Sequence, residues 1–234
     1  MAKLNEFLPS TQGLKYVNIW PHVPDRKVAL PLGLPEVGLL DAAAGLCGGM
    51  VFAVRDLFEA GLPRPPALQN PPPGSPAFDY IVERLFDSFG GLLGIGNYLL
   101  WMGLPRDDRV IGSMIVHGSS WHTINESMPV IRSTIDEGHP CPLALVCIHS
   151  LNPVGLGQNH QVLVWGYEDG PTTTTLHLYD PNHPDRDDVT ITFDPTHPAQ
   201  TTDFLYSTKD HTVLGFFVPA YSPCDPKPLL DDSG

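Results

Sequence analysis

The sequence lacks any run of basic residues. Its 13 Lys and Arg are outnumbered by 26 Asp and Glu, which gives a formal net charge of −13 at pH 7. Contacts to nucleic-acid phosphates or to an anionic membrane surface depend on clustered Lys and Arg side chains. The composition therefore argues against nucleic acid and anionic lipid as partners.

A long hydrophobic run is also missing. The longest apolar stretch, residues 90–104, is interrupted by Asn97 and is shorter than the roughly 20 residues that a membrane-spanning helix requires. The first 13 residues are polar and lack the apolar core of a signal peptide. We therefore expect a soluble chain without a membrane span, located in the cytoplasm or exported without a classical signal peptide.

Cysteine is scarce and forms no CxxC pair; the four residues are Cys47, Cys141, Cys147 and Cys224. This spacing argues against a tetrahedral zinc site and a disulfide framework, and no HExxH pattern is present. Oxygen ligands suited to Ca²⁺ do cluster in one segment, at Asp180, Asn182, Asp185, Asp187 and Asp188. Without EF-hand spacing they favour a solvated acidic turn. The sequence thus predicts neither a metal ion nor another cofactor.

Proline is abundant, with 26 residues beside 22 Gly, and predicts many irregular loops. Residues 1–45 are interpreted as an extended arm and residues 62–76 as a Pro-rich loop. Apolar spacing predicts helices over residues 46–60, 77–88, 91–103 and 121–137. Segments rich in Val, Ile and aromatics predict strands at 143–150, 161–168, 176–180, 189–194 and 213–221. Helices followed by strands are typical of an α+β fold, here a single domain over residues 1–234.

Cys47 stands at the predicted start of the first helix, in the sequence GLCGGM. A helix N-terminus carries unpaired N–H groups and a partial positive charge, which stabilise a thiolate and can donate to an oxyanion. The flanking glycines remove side chains from around the sulfur and would let a substrate backbone approach. A small buried cysteine in a Gly-rich helix start is the alternative interpretation.

His160 opens one predicted strand and Asp180 ends the next. In a hairpin, the start of the first strand lies beside the end of the second, so the two side chains become cross-strand neighbours. A carboxylate in that position would hold the imidazole in one tautomer, and Pro181 restricts Asp180 to an extended backbone. The hairpin therefore predicts a His–Asp pair that could act on the Cys47 thiol.

The order Cys, His, Asp, with the Cys on an early helix and the other two on adjacent late strands, resembles the papain-like cysteine peptidase superfamily. The segment NHQVLVWGYEDG followed by LHLYDPN is similar to its C39-like branch. GLCGGM and NHQV also resemble bacterial proteins of uncharacterised role. The resemblance covers about residues 40–60 and 140–194. It implies a papain-like fold in which an N-terminal helical part packs on a C-terminal antiparallel sheet.

The oxyanion donor is where the sequence departs from that pattern. Papain-like enzymes usually carry a Gln a few residues before the nucleophile, but residues 38–44 contain none. Gln12 or Asn18 could fold back to serve, or backbone N–H groups could act alone. Asn182 is a second candidate for orienting His160, since some papain-like enzymes use Asn there. Because the segment around Cys47 is not of the C-G-S-C-W type, papain's peptide specificity is not implied.

Together these patterns predict a cysteine-dependent hydrolase that cleaves a peptide or other amide bond through a thioester. Cys47 is the predicted nucleophile, His160 the base and Asp180 the group that orients His160. An amine in place of water would make the enzyme an acyl transferase, and the missing Gln leaves open a papain-like binding module without catalysis. The predicted partner is a peptide or protein substrate; the sequence indicates no oligomeric state.

Overall fold

The computed structural model describes residues 2–22 and 45–231, without the side chains of residues 91–95, 153 and 154. Residues 23–44, about half of the predicted N-terminal arm, lie outside the described residues, and with them the segment 38–44 that precedes the nucleophile. Within the described residues the chain is a mixed α+β structure, with a curled antiparallel sheet and several helices.

The main sheet has seven strands, and six of them follow the order β8-β7-β6-β5-β4-β9, with β1 added beside β5. Their bounds are β1 Ala2–Lys3, β4 Cys141–Val146, β5 His160–Asp169, β6 Thr174–Tyr179, β7 Thr190–Phe193, β8 Leu205–Tyr206 and β9 Gly215–Phe217. All neighbouring strands run antiparallel. The central strand, β5, pairs with β4 and β6 along its length, which places its first residue, His160, at one end of the sheet.

The helices begin with the short α1, Pro9–Gln12, and continue with α2 Cys47–Glu59, α3 Pro76–Ser88, α4 Gly91–Gly103, α5 Ser119–His122 and α6 Met128–Asp136. Helix α2 packs against α3, β5 and β4, and nine of its residues are buried. A helix that is apolar on nearly every side belongs in a protein interior. Helix α2 is therefore the central helix of the fold, and Cys47 is its first residue.

The local sequence explains where α3 begins. Ser75 accepts a hydrogen bond through its side chain from the N–H of Phe78 at 3.2 Å, which is the standard role of an N-cap serine. Pro76 occupies the first turn, where its missing N–H costs nothing, and Asp79 complements the positive end of the helix.

The predicted helix at 121–137 is interrupted rather than continuous. Helix α5 leads into a π-helical turn, Thr123–Ser127, before α6 begins. Pro129 has no N–H to give to the preceding turn, which favours a change of hydrogen-bond spacing here. The turn also has a structural use. Thr123 and Ser127 donate their hydroxyls to the carbonyl of Phe216, and the Phe216 N–H donates to the Thr123 hydroxyl. These side chains therefore provide hydrogen-bond partners for the backbone at the outer edge of β9.

Most predicted elements are confirmed, with differences at their ends. The helices predicted at 46–60, 77–88 and 91–103 match α2, α3 and α4 within two residues. The strand predicted at 213–221 is only three residues long, because Pro219 ends its pairing. The hairpin of β2, Arg109–Ile111, and β3, Met114–Val116, was not predicted. Among the described residues, no helix has the length and apolar character needed to cross a bilayer.

The described part of the N-terminal arm is packed more closely than an extended arm laid over the surface. Strand β1 pairs with the second half of β5, and Phe7, Leu14, Tyr16 and Trp20 are buried in the main core. This segment brings Asn18 to the start of α2.

Candidate functional site

Cys47 is partly exposed at the first position of α2. The residue before it, Leu46, has no side chain that can cap the helix, and its N–H donates instead to the side-chain oxygen of Asn18 at 2.7 Å. The first N–H groups of a helix have no partner within the helix. The thiol is therefore carried on a helix start where backbone donors and a partial positive charge converge.

His160 and Asp180 are in contact, as the predicted hairpin required. Nε2 of His160 lies 2.7 Å from Oδ1 of Asp180, and both side chains are almost completely buried. The pairing of Leu163 with Tyr179 sets the register of this hairpin. When this register is extended to Asp180, just past the end of β6, Asp180 lies diagonally across from His160 rather than directly opposite it. Side chains on the same face remain within reach at such a diagonal.

The Asp180 carboxylate is held by three donors. Oδ1 accepts from His160 Nε2 and from the backbone N–H of Asn182 at 2.9 Å, and Oδ2 accepts from the hydroxyl of Tyr206. Burial opposes the negative charge, but attraction to His160 and these hydrogen bonds outweigh it and lower the pKa of Asp180 to about 2. Asp180 is a carboxylate throughout the physiological range.

His160 responds in the opposite direction. Burial disfavours its positive charge, but the Asp180 carboxylate outweighs burial, and a hydrogen bond with the Cys47 thiol adds to the effect. The pKa of His160 is raised to about 10, so the ring is an imidazolium at neutral pH. Because Nε2 is engaged by Asp180, Nδ1 is the nitrogen that faces the thiol. The structure thus brings the Cys47 thiol beside the hydrogen-bonded His160–Asp180 pair.

The remaining cysteines differ from Cys47. Burial raises the pKa of both Cys141 and Cys147 to about 12, so these two stay protonated thiols at neutral pH. Cys224 is exposed in the C-terminal tail. For a thiol-specific reagent, Cys224 is therefore the main competitor of Cys47.

The structure brings Asn18 to the residues just before the nucleophile but does not bring Gln12 there. Gln12 lines a groove at the far end of α2 with Phe58, Glu59 and His139, and its amide reaches the carbonyl of Glu6 at 3.5 Å. The length of α2 separates Gln12 from Cys47, so we do not assign Gln12 as the oxyanion donor. The amide of Asn18, by contrast, lies against Gly45 and Leu46.

Asn182, the second candidate for orienting His160, does not contact the His160 ring. Asp180, not Asn182, contacts His160. The Asn182 amide accepts from Asn18 Nδ2 at 3.2 Å and faces Nε2 of His211 at 3.3 Å. It therefore connects the helix start to the loop that holds His211.

The glycines beside Cys47 serve packing rather than substrate approach. Gly48 and Gly49 are buried, and a Cβ atom on Gly49 would lie 2.0 Å from the backbone oxygen of Ile81 in α3. A Cβ atom on Gly48 would lie 2.2 Å from the Ser88 hydroxyl and 2.7 Å from the amide nitrogen of Gln161. These residues let α2 approach α3 and β5 closely.

The acidic segment expected to be a solvated turn is exposed at residues 185–188, and its side chains also bind other residues. Asp185 pairs with Arg64 at 2.7 Å, Asp187 accepts from the backbone and hydroxyl of Ser10, and Asp188 pairs with Arg186. These partners account for the acidic side chains, and we assign none of them as a metal ligand.

Sequence reasoning missed two residues that contact the pair. Tyr206 donates its hydroxyl to Asp180, and the ring of His211 stacks on that of His160 with centroids 4.6 Å apart. Neither belongs to a motif. His211 is one of ten histidines and lies in a loop between β8 and β9 without any periodic pattern.

The chain was also compared with known proteins. No family model, no curated protein and no solved structure matches it. The function must therefore be argued from the geometry of the site.

Proposed function

We propose that this chain is a cysteine-dependent hydrolase with a papain-like arrangement, and that it cleaves a peptide or other amide bond through a thioester. The observation that carries the proposal is the buried His160–Asp180 pair, which lies beside a thiol at the start of a helix. The resemblance of the Cys–His–Asp order, and of the segments NHQVLVWGYEDG and LHLYDPN, to the papain-like superfamily agrees with it. The amide substrate and the thioester chemistry follow from the residue types, since a thiolate beside an imidazolium is suited to acyl transfer.

In the first step, Nδ1 of His160 holds the proton taken from the Cys47 thiol. The thiolate attacks the carbonyl carbon, and the C=O electron pair moves onto the oxygen. When the tetrahedral intermediate collapses, the C–N bond breaks and the leaving nitrogen takes the proton from His160 Nδ1. An acyl group remains on Cys47. Asp180 keeps its hydrogen bond to Nε2 throughout and stabilises the imidazolium.

In the second step, neutral His160 removes a proton from water, and the resulting hydroxide attacks the thioester carbon. The C–S bond breaks, the acid product leaves, and the sulfur departs as the thiolate beside protonated His160. This restores the starting ion pair. An attacking amine would give acyl transfer by the same proton movements.

The oxyanion of each tetrahedral intermediate needs donors. The N–H groups at the start of α2 supply one set, and the Asn18 amide supplies another, because its Oδ1 is fixed by Leu46 and Trp20. Of the two Nδ2 protons of Asn18, one is donated to Asn182. The second is our proposed donor in place of the missing upstream Gln.

Selective alkylation tests the nucleophile. We expect limiting iodoacetamide at about pH 6 to modify Cys47 faster than the more exposed Cys224, because an imidazolium-paired thiolate reacts where an ordinary thiol does not. Peptide mapping by mass spectrometry measures both rates in one sample. His160→Ala should remove the difference. His177→Ala is the matched control, since His177 also pairs with a carboxylate, Glu168, on the same sheet. Equal rates at Cys47 and Cys224 in the wild-type protein would contradict the proposal.

A second assay separates the oxyanion site from the thiolate. Acylation of Cys47 by p-nitrophenyl acetate passes through an oxyanion, whereas alkylation by iodoacetamide does not. We expect Asn18→Asp to slow acylation by about 10² more than it slows alkylation, because the lost contact with Asn182 and His211 affects both reactions whereas the lost oxyanion donor affects only acylation. This variant keeps Oδ1 as the acceptor for Leu46 and Trp20 but loses the N–H donors. An equal loss in both reactions would show that Asn18 acts on the fold or on the thiol, not on the oxyanion.

A further inference from the structure

His211 lies against the proposed catalytic histidine from a loop that no motif marks. The two imidazole rings are nearly parallel, with centroids 4.6 Å apart and an interplanar angle of 22°. The loop is held at its base by the bridge between Phe204 and Val213. One face of the His160 ring is thereby covered by a second imidazole.

The hydrogen bonds around Asn18 determine how its own amide and the amide of Asn182 are oriented. Both groups that approach Asn18 Oδ1, the Leu46 N–H at 2.7 Å and the Trp20 indole N–H at 2.9 Å, are donors only. This atom must therefore be the amide oxygen. Its partner Nδ2 is then a donor, and the atom of Asn182 that faces it at 3.2 Å must be an oxygen.

The same reasoning fixes the protonation of His211. Since Oδ1 of Asn182 faces Asn18, Nδ2 of Asn182 is the atom that lies 3.3 Å from His211 Nε2. An amide nitrogen can only donate, so Nε2 must accept and carry no proton. His211 is thus a neutral imidazole protonated on Nδ1. A series of hydrogen bonds therefore begins at the Leu46 N–H, passes through Asn18 and Asn182, and ends on the His211 ring.

The charges around His211 agree with a neutral ring. Burial lowers the pKa of His211 below its usual 6.5, and the positive charge of His160 lowers it further. The nearby carboxylates act against this shift without overcoming it. The titratable groups that face His211 from the surrounding elements are His160, Asp180, His183, Tyr206 and Asp210.

We propose that neutral His211 is a positioning residue for His160: its ring holds the imidazole by stacking, and its Nε2 ties that ring, through Asn182, to the Asn18 amide that binds the Leu46 N–H just before the Cys47 helix. This rests on the proposed function, because it assigns the residue that aligns the base. Protonation of His211 would remove the acceptor for Asn182 and place two imidazolium rings face to face. Both changes would release the His160 ring from its fixed orientation.

The test measures the rate of Cys47 alkylation by iodoacetamide against pH in three variants of the full chain. His211→Ala removes ring and acceptor, and we expect Cys47 to react about three- to tenfold more slowly near neutral pH, the range implied by a lost aromatic contact. His211→Phe keeps a flat ring that cannot titrate. We expect it to lose the step in the wild-type profile that lies below pH 6.5. His197→Phe, a substitution at an exposed histidine, should keep that step.

Nitrogen NMR of the His211 ring supplies a readout independent of reactivity. We expect a neutral ring with the proton on Nδ1 at pH 7, and a changed His160 signal in His211→Ala but not in His197→Phe. A proton on Nε2, or unchanged profiles and His160 signals in both His211 variants, would overturn the inference. If Cys47 is unreactive in the wild-type protein but the NMR signals are as expected, the proposed hydrolase fails while the positioning of His160 stands.

Discussion

Replacing Asp180 with Asn removes one charge while it preserves the shape of the site. Asn Oδ1 can still accept from His160 Nε2 and the Asn182 N–H, as the carboxylate oxygen does at 2.7 and 2.9 Å. Its Nδ2 would face the Tyr206 hydroxyl, which can reverse its role and accept. The effect of Asp180→Asn should therefore be electrostatic rather than steric.

The expected magnitude follows from the pKa of His160. Raising this pKa from 6.5 to about 10 corresponds to roughly 5 kcal/mol in favour of the imidazolium, at about 1.4 kcal/mol per pH unit. Without the carboxylate, burial remains as the main influence and favours the neutral ring. We expect the pKa of His160 in the variant to fall to 6.5 or below, so that the ring is neutral at pH 7.

The sign of the stability change can be stated for the wild-type protein. A folded-state pKa above the unfolded value means that His160 contributes stability fully below pH 6.5 and loses it as pH rises through about 10. Asp180 contributes stability above pH 3.8, and this is lost as pH falls through about 2. The wild-type free energy of unfolding should thus decline between pH 6.5 and 10, and Asp180→Asn should lack that decline.

Two measurements check this prediction. NMR titration of the His160 ring gives its pKa directly, and urea unfolding at several pH values gives the stability profile. Tyr206→Phe is the matched control, because it removes a donor to the other carboxylate oxygen and leaves the charge in place. A His160 pKa that stays near 10 in Asp180→Asn would refute the argument that the carboxylate holds the imidazolium.

Three further predictions concern the structure around the site. Gly49→Ala should destabilise the fold by about 1–3 kcal/mol in urea unfolding, since its Cβ would meet the Ile81 carbonyl at 2.0 Å; Gly96→Ala, with open space around it, should be neutral or stabilising. Asp56→Ala should cost about 3–5 kcal/mol in the same assay, because it leaves Arg84 buried without its main partner; removing the exposed partner, in Asp87→Ala, should cost about 1 kcal/mol or less. Thr123→Val should cost about 1–3 kcal/mol by thermal unfolding, because the Phe216 N–H loses its acceptor; a null effect would mean that water replaces the hydroxyl.

The helices and the His–Asp pair were accessible from sequence because their signals are local. Apolar spacing and a Gly-Leu-Pro stop define α2, and an apolar stripe over residues 77–88 defines α3. Two strand patterns joined by one turn are enough to bring His160 near Asp180. The diagonal register depends on a β-bulge between Val164 and Gly166, which the residue pattern does not reveal.

The glycines next to Cys47 show why a local pattern can predict an element and still mislead about its role. Gly permits close approach by any neighbour, whether substrate or another part of the chain. Here the neighbours are Ile81 and Gln161, which are distant in sequence. Only the packing of α2 against α3 and β5 separates the two interpretations.

The parts of the site that sequence could not supply all join segments far apart in the chain. The backbone N–H of Asn18 donates to the carbonyl of Pro181 at 3.0 Å, while its side chain binds Leu46 and Asn182. One residue of the N-terminal segment thus fixes both the start of the Cys47 helix and the turn that follows Asp180. The alignment of thiol and imidazole therefore depends on the docking of residues 2–22, although none of the three reactive groups lies there.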